Sequence, residues 1–168
     1  MQRQNHTLTR HRPLPIYTAG DVNTAWYTRA NAPGSARYLV PAQPPLKGGK
    51  PWAWRLVPEN RRAWHAGASG WRGRTNLNDT SIGIELENQG YSNFLLGKKF
   101  YPFPPAQIDL LANLSKEIVA RYQIEPRNVV AHSDIAPQRK EDPGPLFPWP
   151  EMAARGIGAR SEERRGGK

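Results

Sequence analysis

Two stretches of the sequence carry side chains that could do chemistry together. In Ser81–Leu86 the carboxylate of Glu85 alternates with apolar neighbours, as expected for one face of a half-buried strand. Farther along, His132 is followed by Lys140 and Asp142 in a proline-rich segment. A neutral imidazole and a carboxylate suit zinc, a lysine can stabilise a developing oxyanion, and a glutamate can act as a general base. The residues alone are also compatible with two structural interpretations. His132 and Asp142 could be a surface pair, and Glu85 could lie on the solvent face of an edge strand.

A third stretch has the composition of a ligand-binding loop. Residues 66–78 are rich in Gly, Ser and Asn, and Trp64, His65 and Asn78 lie at its ends. Aromatic rings and amides in a loop are typical of sites for a sugar or a peptide. Trp64 could instead anchor the core, and His65 could be a metal ligand in its own right. We therefore predict Trp64, His65 and Asn78 as substrate-binding residues.

The hydrophobic pattern predicts the elements that must position these side chains. Apolar residues recur at helical spacing after Pro104 and Pro105, and proline suits a first helical turn. Strands mixed with one long helix predict an α/β or α+β domain. We predict strands at 36–41, 52–57, 81–86 and 129–132, a loop at 89–103 and a helix at 105–122. The predicted units are an irregular segment at 1–13, a domain at 14–150 and a basic, Gly-rich tail at 151–168.

Composition limits the partners. The 168 residues suit one domain, and a net charge of +10 favours nucleic acid, a phospholipid surface or an acidic polymer. Motifs of the common nucleic-acid modules are missing, so we expect no nucleic-acid partner. The absence of Cys excludes disulfides and thiolate metal sites. No apolar run approaches the roughly 20 residues of a membrane span, and residues 1–13 do not form a signal peptide. As it stands, the sequence predicts a cytoplasmic monomer.

Three motifs in order resemble one known family. Arg62–Gly67, Asn78–Asn88 and Val130–Trp149 are similar to the type 2 N-acetylmuramoyl-L-alanine amidases, which include T7-lysozyme-type amidases and peptidoglycan recognition proteins. The likeness is strongest to Gram-negative amidases that accept anhydromuramyl peptides. It extends from about Tyr17 to about Gly158.

The resemblance implies a fold, a metal and a reaction. The family has a central mixed β-sheet flanked by helices, with zinc in a groove on one side. It implies that His132 and Asp142 are the second and third zinc ligands. Glu85 matches the residue that activates water, and Lys140 matches the residue that stabilises the oxyanion. The implied reaction is hydrolysis of the amide bond between N-acetylmuramic acid and L-alanine in peptidoglycan or muropeptides.

The N-terminal part departs from the family pattern. Ile16 stands where the family has its first zinc histidine, and Arg37 replaces a second frequent histidine. One interpretation is that His6 or His11 reaches the metal. Another is a catalytically impaired module that binds peptidoglycan without cutting it. The interpretation that we favour is a change of reading frame or gene boundary, because the likeness stops abruptly at both ends. An incomplete N-terminus would then place the protein in the periplasm or cell envelope.

Overall fold

The computed structural model describes residues 35–159. The irregular segment predicted at 1–13, Ile16, His6 and His11 lie outside the described residues, as do residues 160–168 of the predicted tail. The described strands are β1 (Tyr38–Val40), β2 (Leu46–Lys47), β3 (Lys50–Pro51), β4 (Trp54–Arg55), β5 (Gly70–Trp71), β6 (Arg74–Thr75), β7 (Ile84–Leu86), β8 (Tyr91–Phe94) and β9 (Gly97–Phe100). The helices are α1 (Pro105–Tyr122), α2 (His132–Ile135) and α3 (Trp149–Ala154), with 3-10 turns at Leu77–Asp79 and Pro126–Asn128.

The central sheet is mixed and has the order β4–β1–β7 in the described part of the chain. Strand β4 runs antiparallel to β1, with Leu39 opposite Trp54. Strand β7 runs parallel to β1, with Leu39 opposite Glu85. The predicted strands at 36–41, 52–57 and 81–86 are therefore confirmed with shorter bounds, and so is the prediction of a mixed sheet with helices.

Helix α1 has the predicted bounds. Pro104 precedes it, Pro105 occupies its first turn, and Gln123 ends it in a left-handed conformation with φ of 52°. Its apolar face packs on the face of β1 that carries Tyr38 and Val40. This cluster buries Ile108, Leu110, Leu111, Ala112, Leu114 and Ile118 of the helix. The opposite face of the sheet is left for Leu39 and Glu85, because side chains alternate along a strand.

Gln107 joins this helix to both parallel strands. Its side chain is fully buried at 0% exposure. Its Nε2 group donates to Val40 O at 3.0 Å and to Glu87 O at 2.8 Å. These carbonyls lie at the carboxyl ends of β1 and β7, so one amide spans the two strand ends.

Glu59 forms a second link between the sheet and the helix. Its carboxylate accepts a hydrogen bond from Tyr38 Oη, two from Arg121 Nη1 at 2.7 and 2.8 Å, and one from Tyr122 Oη at 2.6 Å. Burial alone would raise the pKa of Glu59, but these hydrogen bonds and the Arg121 charge hold it below its usual range. The polar cluster therefore favours an ionised Glu59 at the end of α1.

Two predicted elements are wrong. Residues 89–103 are not a plain loop, because Tyr91–Phe94 and Gly97–Phe100 pair as an antiparallel hairpin. Residues 129–132 do not form a strand; a 3-10 turn ends at Asn128 and α2 begins at His132. A short apolar run does not by itself distinguish a strand from an irregular segment that packs on the core. Val129 packs against the core cluster in this way, without pairing to a strand.

Residues 151–159 belong to the packed domain. Trp149–Ala154 form α3, and Met152 and Ile157 are buried in the core cluster at 2% and 1% exposure. The first part of the segment expected to be an unstructured tail, residues 151–159, thus packs on the domain. The domain boundaries remain predictions. Among the described helices, none has the length and apolarity to cross a membrane.

Candidate functional site

Glu85 lies on the face of the sheet opposite the core. Its neighbours Ile84 and Leu86 pack against the core cluster, as the alternating pattern predicted. Burial and, to a smaller extent, the negative charge of Asp142 raise the pKa of Glu85, while His132 and Lys140 partly oppose them. A carboxylate with a raised pKa near other charged groups is a reasonable general base.

His132 and Asp142 are brought together as predicted. His132 begins α2, and Asp142 comes from the loop that follows it. Their side chains approach to 3.1 Å between Nδ1 and Oδ2. The Ser133 N–H donates to Asp142 O at 3.1 Å, which fixes the returning loop beside the helix start. Burial would raise the pKa of Asp142, but the hydrogen bond and charge of His132 hold it lower than usual.

Lys140 completes the group of charged side chains. Its backbone N–H donates to Ala136 O at 3.0 Å, so a turn following α2 sets its position. Its positive charge partly offsets the rise in the pKa of Glu85 and contributes to the lowered pKa of Asp142. The structure therefore gathers Glu85, His132, Lys140 and Asp142 into one electrostatic neighbourhood, although Glu85 comes from a strand far away in the sequence.

Arg139 is a positioning residue that sequence reasoning missed. Its Nε donates to Ala68 O at 3.0 Å, and its Nη2 donates to Ala66 O and to Ala68 O. The guanidinium passes so close to Gly67 that a Cβ there would lie 2.7 Å from Nη2, and Gly67 also has φ of +58°. Arg139 thus fastens the loop at 66–68 to the segment that carries Lys140. Its place in the third motif was the only signal in the sequence.

The three predicted substrate-binding residues have different surroundings. Trp64 is 53% exposed, with the Arg62 guanidinium 3.9 Å from its ring centroid. Asn78 is 5% exposed, and its Oδ1 accepts the Ala66 N–H at 2.8 Å. The amide oxygen of Asn78 is therefore committed to holding the loop. Of these two, Trp64 is the side chain that presents a free surface to a ligand.

His65 is held as a neutral imidazole. Its Nε2 lies 3.0 Å from Ser81 Oγ, whose own hydrogen is directed to Leu77 O at 2.7 Å, so His65 donates from Nε2. Burial, followed by the charges of Arg37 and His132, lowers the pKa of His65 to about 4. A Cβ on Gly83 would lie 2.3 Å from His65 Cγ, so the ring packs directly on the backbone that leads into β7.

Arg37, which the resemblance places at a frequent histidine position, is buried. It is 6% exposed and donates from Nη1 to Ser81 O at 2.6 Å and from Nη2 to Arg61 O at 2.9 Å. These bonds tie the start of β1 to the segments that flank the loop at 66–78. Arg37 has a structural role, and its charge helps to keep His65 neutral.

The donor set fits part of a zinc site. Within residues 35–159, no three His, Cys, Asp or Glu side chains are grouped closely enough to hold a metal. The 3.1 Å between His132 Nδ1 and Asp142 Oδ2 is close to the roughly 3.3 Å that separates two ligands of one tetrahedral zinc. His132 Nε2 lies 3.4 Å from Ala66 O, a backbone carbonyl of the kind that orients metal-binding histidines. The position of the first family ligand, Ile16, lies outside the described residues.

Comparisons with known proteins agree with the resemblance. The family model Amidase_2, described as N-acetylmuramoyl-L-alanine amidase, matches residues 4–145. N-acetylmuramoyl-L-alanine amidase AmiD of Escherichia coli is 58% identical over 89% of this chain and 54% of that protein. The 1,6-anhydro-N-acetylmuramyl-L-alanine amidase AmpD of Enterobacter cloacae is 44% identical over 60% of this chain and 49% of that protein. The chain thus spans about half the length of these curated relatives.

Two solved structures share the fold. E. coli AmiD in complex with the substrate anhydro-N-acetylmuramic acid-L-Ala-D-gamma-Glu-L-Lys superposes with a TM-score of 0.78 at 53% identity, over 95% of this chain and 64% of that one. AmpDh3 of Pseudomonas aeruginosa with anhydromuramic pentapeptide gives 0.69 at 39% identity, over 95% and 67%. The match covers the sheet, α1 and the motifs that carry the charged site, and the chain belongs to the N-acetylmuramoyl-L-alanine amidase (Amidase_2) family.

Proposed function

We propose that this chain hydrolyses the amide bond between N-acetylmuramic acid and L-alanine in muropeptides or peptidoglycan, with zinc as cofactor. The observation that carries the proposal is the convergence of Glu85, Lys140, His132 and Asp142 from separate elements. Relatives that share the surrounding motifs are named for this activity. The bound anhydromuramyl peptides of AmiD and AmpDh3 indicate the class of substrate.

His132 and Asp142 would hold zinc on the side of the sheet that faces away from α1. Zinc supplies a Lewis acid that polarises a carbonyl and increases the acidity of water. The Ala66 carbonyl would keep the His132 ring oriented through Nε2, while Arg139 holds that carbonyl in place. The groove predicted on one side of the sheet would thus be bordered by the loop at 66–68 and by the segment that carries Asp142.

Glu85 would move the proton that the reaction requires. It takes a proton from the attacking water and delivers it to the nitrogen of L-alanine as the carbon–nitrogen bond breaks. Its raised pKa makes the first transfer easier, because the buried carboxylate is a stronger base toward the proton of water. The lactyl group leaves as a carboxylic acid, and the stem peptide leaves with a free amine.

Lys140 would stabilise the charge that develops on the scissile carbonyl oxygen. A fixed cation in a partly buried site stabilises an oxyanion more strongly than the same cation does in water. Trp64 would offer its exposed ring to the sugar or to the peptide stem, as aromatic side chains in binding loops do. His65 and Asn78 would support this loop from beneath.

A second candidate function follows from Ile16. With Ile16 at the position that the resemblance gives to the first ligand, a module that binds muropeptides without cutting them would also use this surface. Catalytic zinc sites typically have three protein ligands. The two functions differ only in whether the amide bond is broken.

The test is release of stem peptide from a soluble anhydromuramyl peptide, followed by mass spectrometry. We expect release with added zinc, loss with a chelator, and loss in His132→Ala with zinc present. Glu125→Gln, in an exposed ion pair with Arg127, is the matched control and should cleave normally. Binding of the muropeptide without release by the folded wild-type protein would refute the amidase proposal and support the binding module.

A further inference from the structure

The hairpin formed by β8 and β9 ends in an exposed apolar apex. Leu95 and Leu96 are exposed at 101% and 99%, and Phe94 is 59% exposed. Lys98 and Lys99 follow directly on β9 and are exposed as well. Three apolar side chains at the tip of a hairpin, with two lysines behind them, form a segment that we name the apolar apex, residues 94–96.

The base and the inner face of the hairpin are attached to the domain, whereas the apolar apex is exposed. Asn88 holds its base, because Oδ1 accepts the Gly90 N–H at 2.7 Å and Nδ2 donates to Pro102 O at 3.1 Å. The Tyr91 and Phe100 rings contact each other across the strands in a tilted arrangement, with centroids 5.5 Å apart. Lys98 donates to Glu141 Oε2 at 2.8 Å, which fastens the hairpin to the loop between Lys140 and Asp142.

The two faces of the hairpin differ. Tyr91, Lys98 and Phe100 share the face that turns toward the domain, since Lys98 reaches Glu141 and Phe100 lies against Gly144. Phe94 and Lys99 belong to the other face by alternation. Phe94 of the apolar apex and Lys99 therefore lie together on the exposed side of the hairpin.

We propose that the apolar apex inserts into the surface of an anionic phospholipid bilayer. Interfacial membrane binding combines a buried apolar contact with cationic side chains at the headgroups, and the apolar apex with Lys99 on its outward face has this arrangement. The net charge of +10 adds a general attraction to an anionic surface. Lysines can keep their charge in water while their stems follow apolar surface, which suits the position behind the apex.

A bilayer fits the apex better than a protein partner does. A stable protein interface covers about 800 Å² and 20–30 residues on each side, whereas this apex is a convex tip with three apolar side chains. A bilayer needs only the transfer of those side chains, because lipid adapts its shape to them. The strand length of four residues sets a distance of about 13 Å between the apex and the base of the hairpin.

The test uses the full chain with large unilamellar vesicles and measures the fraction that sediments with them. We expect binding to vesicles of equal phosphatidylglycerol and phosphatidylcholine, and little binding to phosphatidylcholine alone. The double variant Leu95→Ser/Leu96→Ser should bind the anionic vesicles more weakly than wild type, by at least about tenfold. Leu46→Ser is the matched control, since Leu46 is 69% exposed on another hairpin beside Lys47, and should bind like wild type.

Insertion can be observed at the apex itself because the chain contains no Cys. Leu95→Cys and Lys50→Cys each give one labelling site for an environment-sensitive fluorophore. We expect a blue-shifted, brighter signal on anionic vesicles at position 95 and an unchanged signal at position 50. Circular dichroism of each variant confirms that the fold is retained.

Three outcomes would overturn the proposal. The first is no binding of wild type to anionic vesicles, and the second is equal binding by Leu95→Ser/Leu96→Ser, which would mean charge alone. The third is a wild-type dimer that the double variant converts to monomer in sedimentation velocity, which would make the apex a contact between copies. The assay contains no muropeptide, so its result is independent of the proposed amidase activity.

Discussion

Glu59 and Glu85 are both partly buried carboxylates, and their surroundings shift their pKa values in opposite directions. Hydrogen bonds from Tyr122, Tyr38 and Arg121 more than offset the burial of Glu59 and lower its pKa. At Glu85, burial dominates and Asp142 adds to it, so the pKa rises. The same type of side chain is thus a structural anion at Glu59 and the proposed proton carrier at Glu85.

The opposite pKa shifts indicate that ionisation of Glu59 stabilises the folded state and ionisation of Glu85 destabilises it. Glu59 is surrounded by donors, which favour its ionised form in the folded state. Glu85 sits among charges of both signs with burial as the main influence, an arrangement that costs stability when the group ionises. Proton carriers commonly combine such unfavourable surroundings with function.

The largest expected effect separates the two glutamates by activity. Glu85→Gln removes the proposed base while keeping size and polarity, so the rate of stem-peptide release should fall about 10²- to 10⁴-fold. Glu59→Gln should leave the rate per folded molecule nearly unchanged. Both rates are measured with zinc on the same anhydromuramyl peptide by mass spectrometry.

Glu87→Gln is the control, because Glu87 directly follows β7, the strand that contains Glu85. Glu87 is exposed, and its Oε2 accepts the Ala42 N–H at 3.0 Å, a bond that the Gln oxygen can keep. The rate of this variant should match wild type. An equal loss in Glu85→Gln and Glu87→Gln would show that neither carboxylate is the specific proton carrier.

Stability should separate the glutamates in the other direction. Glu59→Gln replaces an anion that accepts charge-assisted bonds from Arg121 and two tyrosines, so the free energy of unfolding should fall by about 2 kcal/mol. Urea denaturation monitored by tryptophan fluorescence measures it. The exposed Glu151, paired with Arg155, gives the control Glu151→Gln, whose unfolding midpoint should not move. A Glu59 variant as stable as wild type would contradict the role of this cluster.

The pH dependence should sharpen the same contrast. Because the folded-state pKa of Glu59 is lowered, its stabilising contribution is complete above the unfolded value near 4.3 and is lost as pH falls through the folded value. Wild type and Glu59→Gln should therefore differ in unfolding midpoint at pH 7 and converge as the pH falls through the folded-state pKa of Glu59. A difference that stays constant over this range would assign the effect of the substitution to packing instead of charge.

The smallest expected effect is a gain in stability at Glu85. Its raised folded-state pKa means that ionised Glu85 opposes folding above that pKa and has no such effect below the unfolded value. In the presence of chelator, Glu85→Gln should melt at a slightly higher temperature than wild type at pH 7 and at the same temperature in acid. A lower melting temperature at pH 7 would show that Glu85 stabilises the domain.

The sequence predicted those elements whose signals are local, such as hydrophobic periodicity and proline at a helix start. Helix α1 has a full amphipathic face and prolines at its start, so its bounds were correct. The β8–β9 hairpin was missed because both its faces are largely exposed and its apolar residues do not alternate with polar ones. Met152 and Ile157 were assigned to a tail because the basic, Gly-rich composition around them hid two core side chains.

The residues of the candidate site could be proposed from the sequence motifs, but the contacts that position them could not. The pairing of His132 with Asp142 depends on how a proline-rich loop returns, which residue spacing alone does not determine. The positioning role of Arg139 and the neutral state of His65 depend on contacts with backbone groups far away in the sequence. Such contacts leave no periodic signal, and so only the resemblance brought these segments together in advance.

Gln107 has a consequence for the register of the parallel strands β1 and β7. Its amide donates to Val40 O and Glu87 O together, and these two carbonyls lie side by side only when β1 and β7 pair in the native register. A slip of one residue would turn one carbonyl away and leave a buried donor unsatisfied, at a cost of about 1–3 kcal/mol. The docked α1 therefore stabilises the native register of β1 and β7 relative to a shifted one.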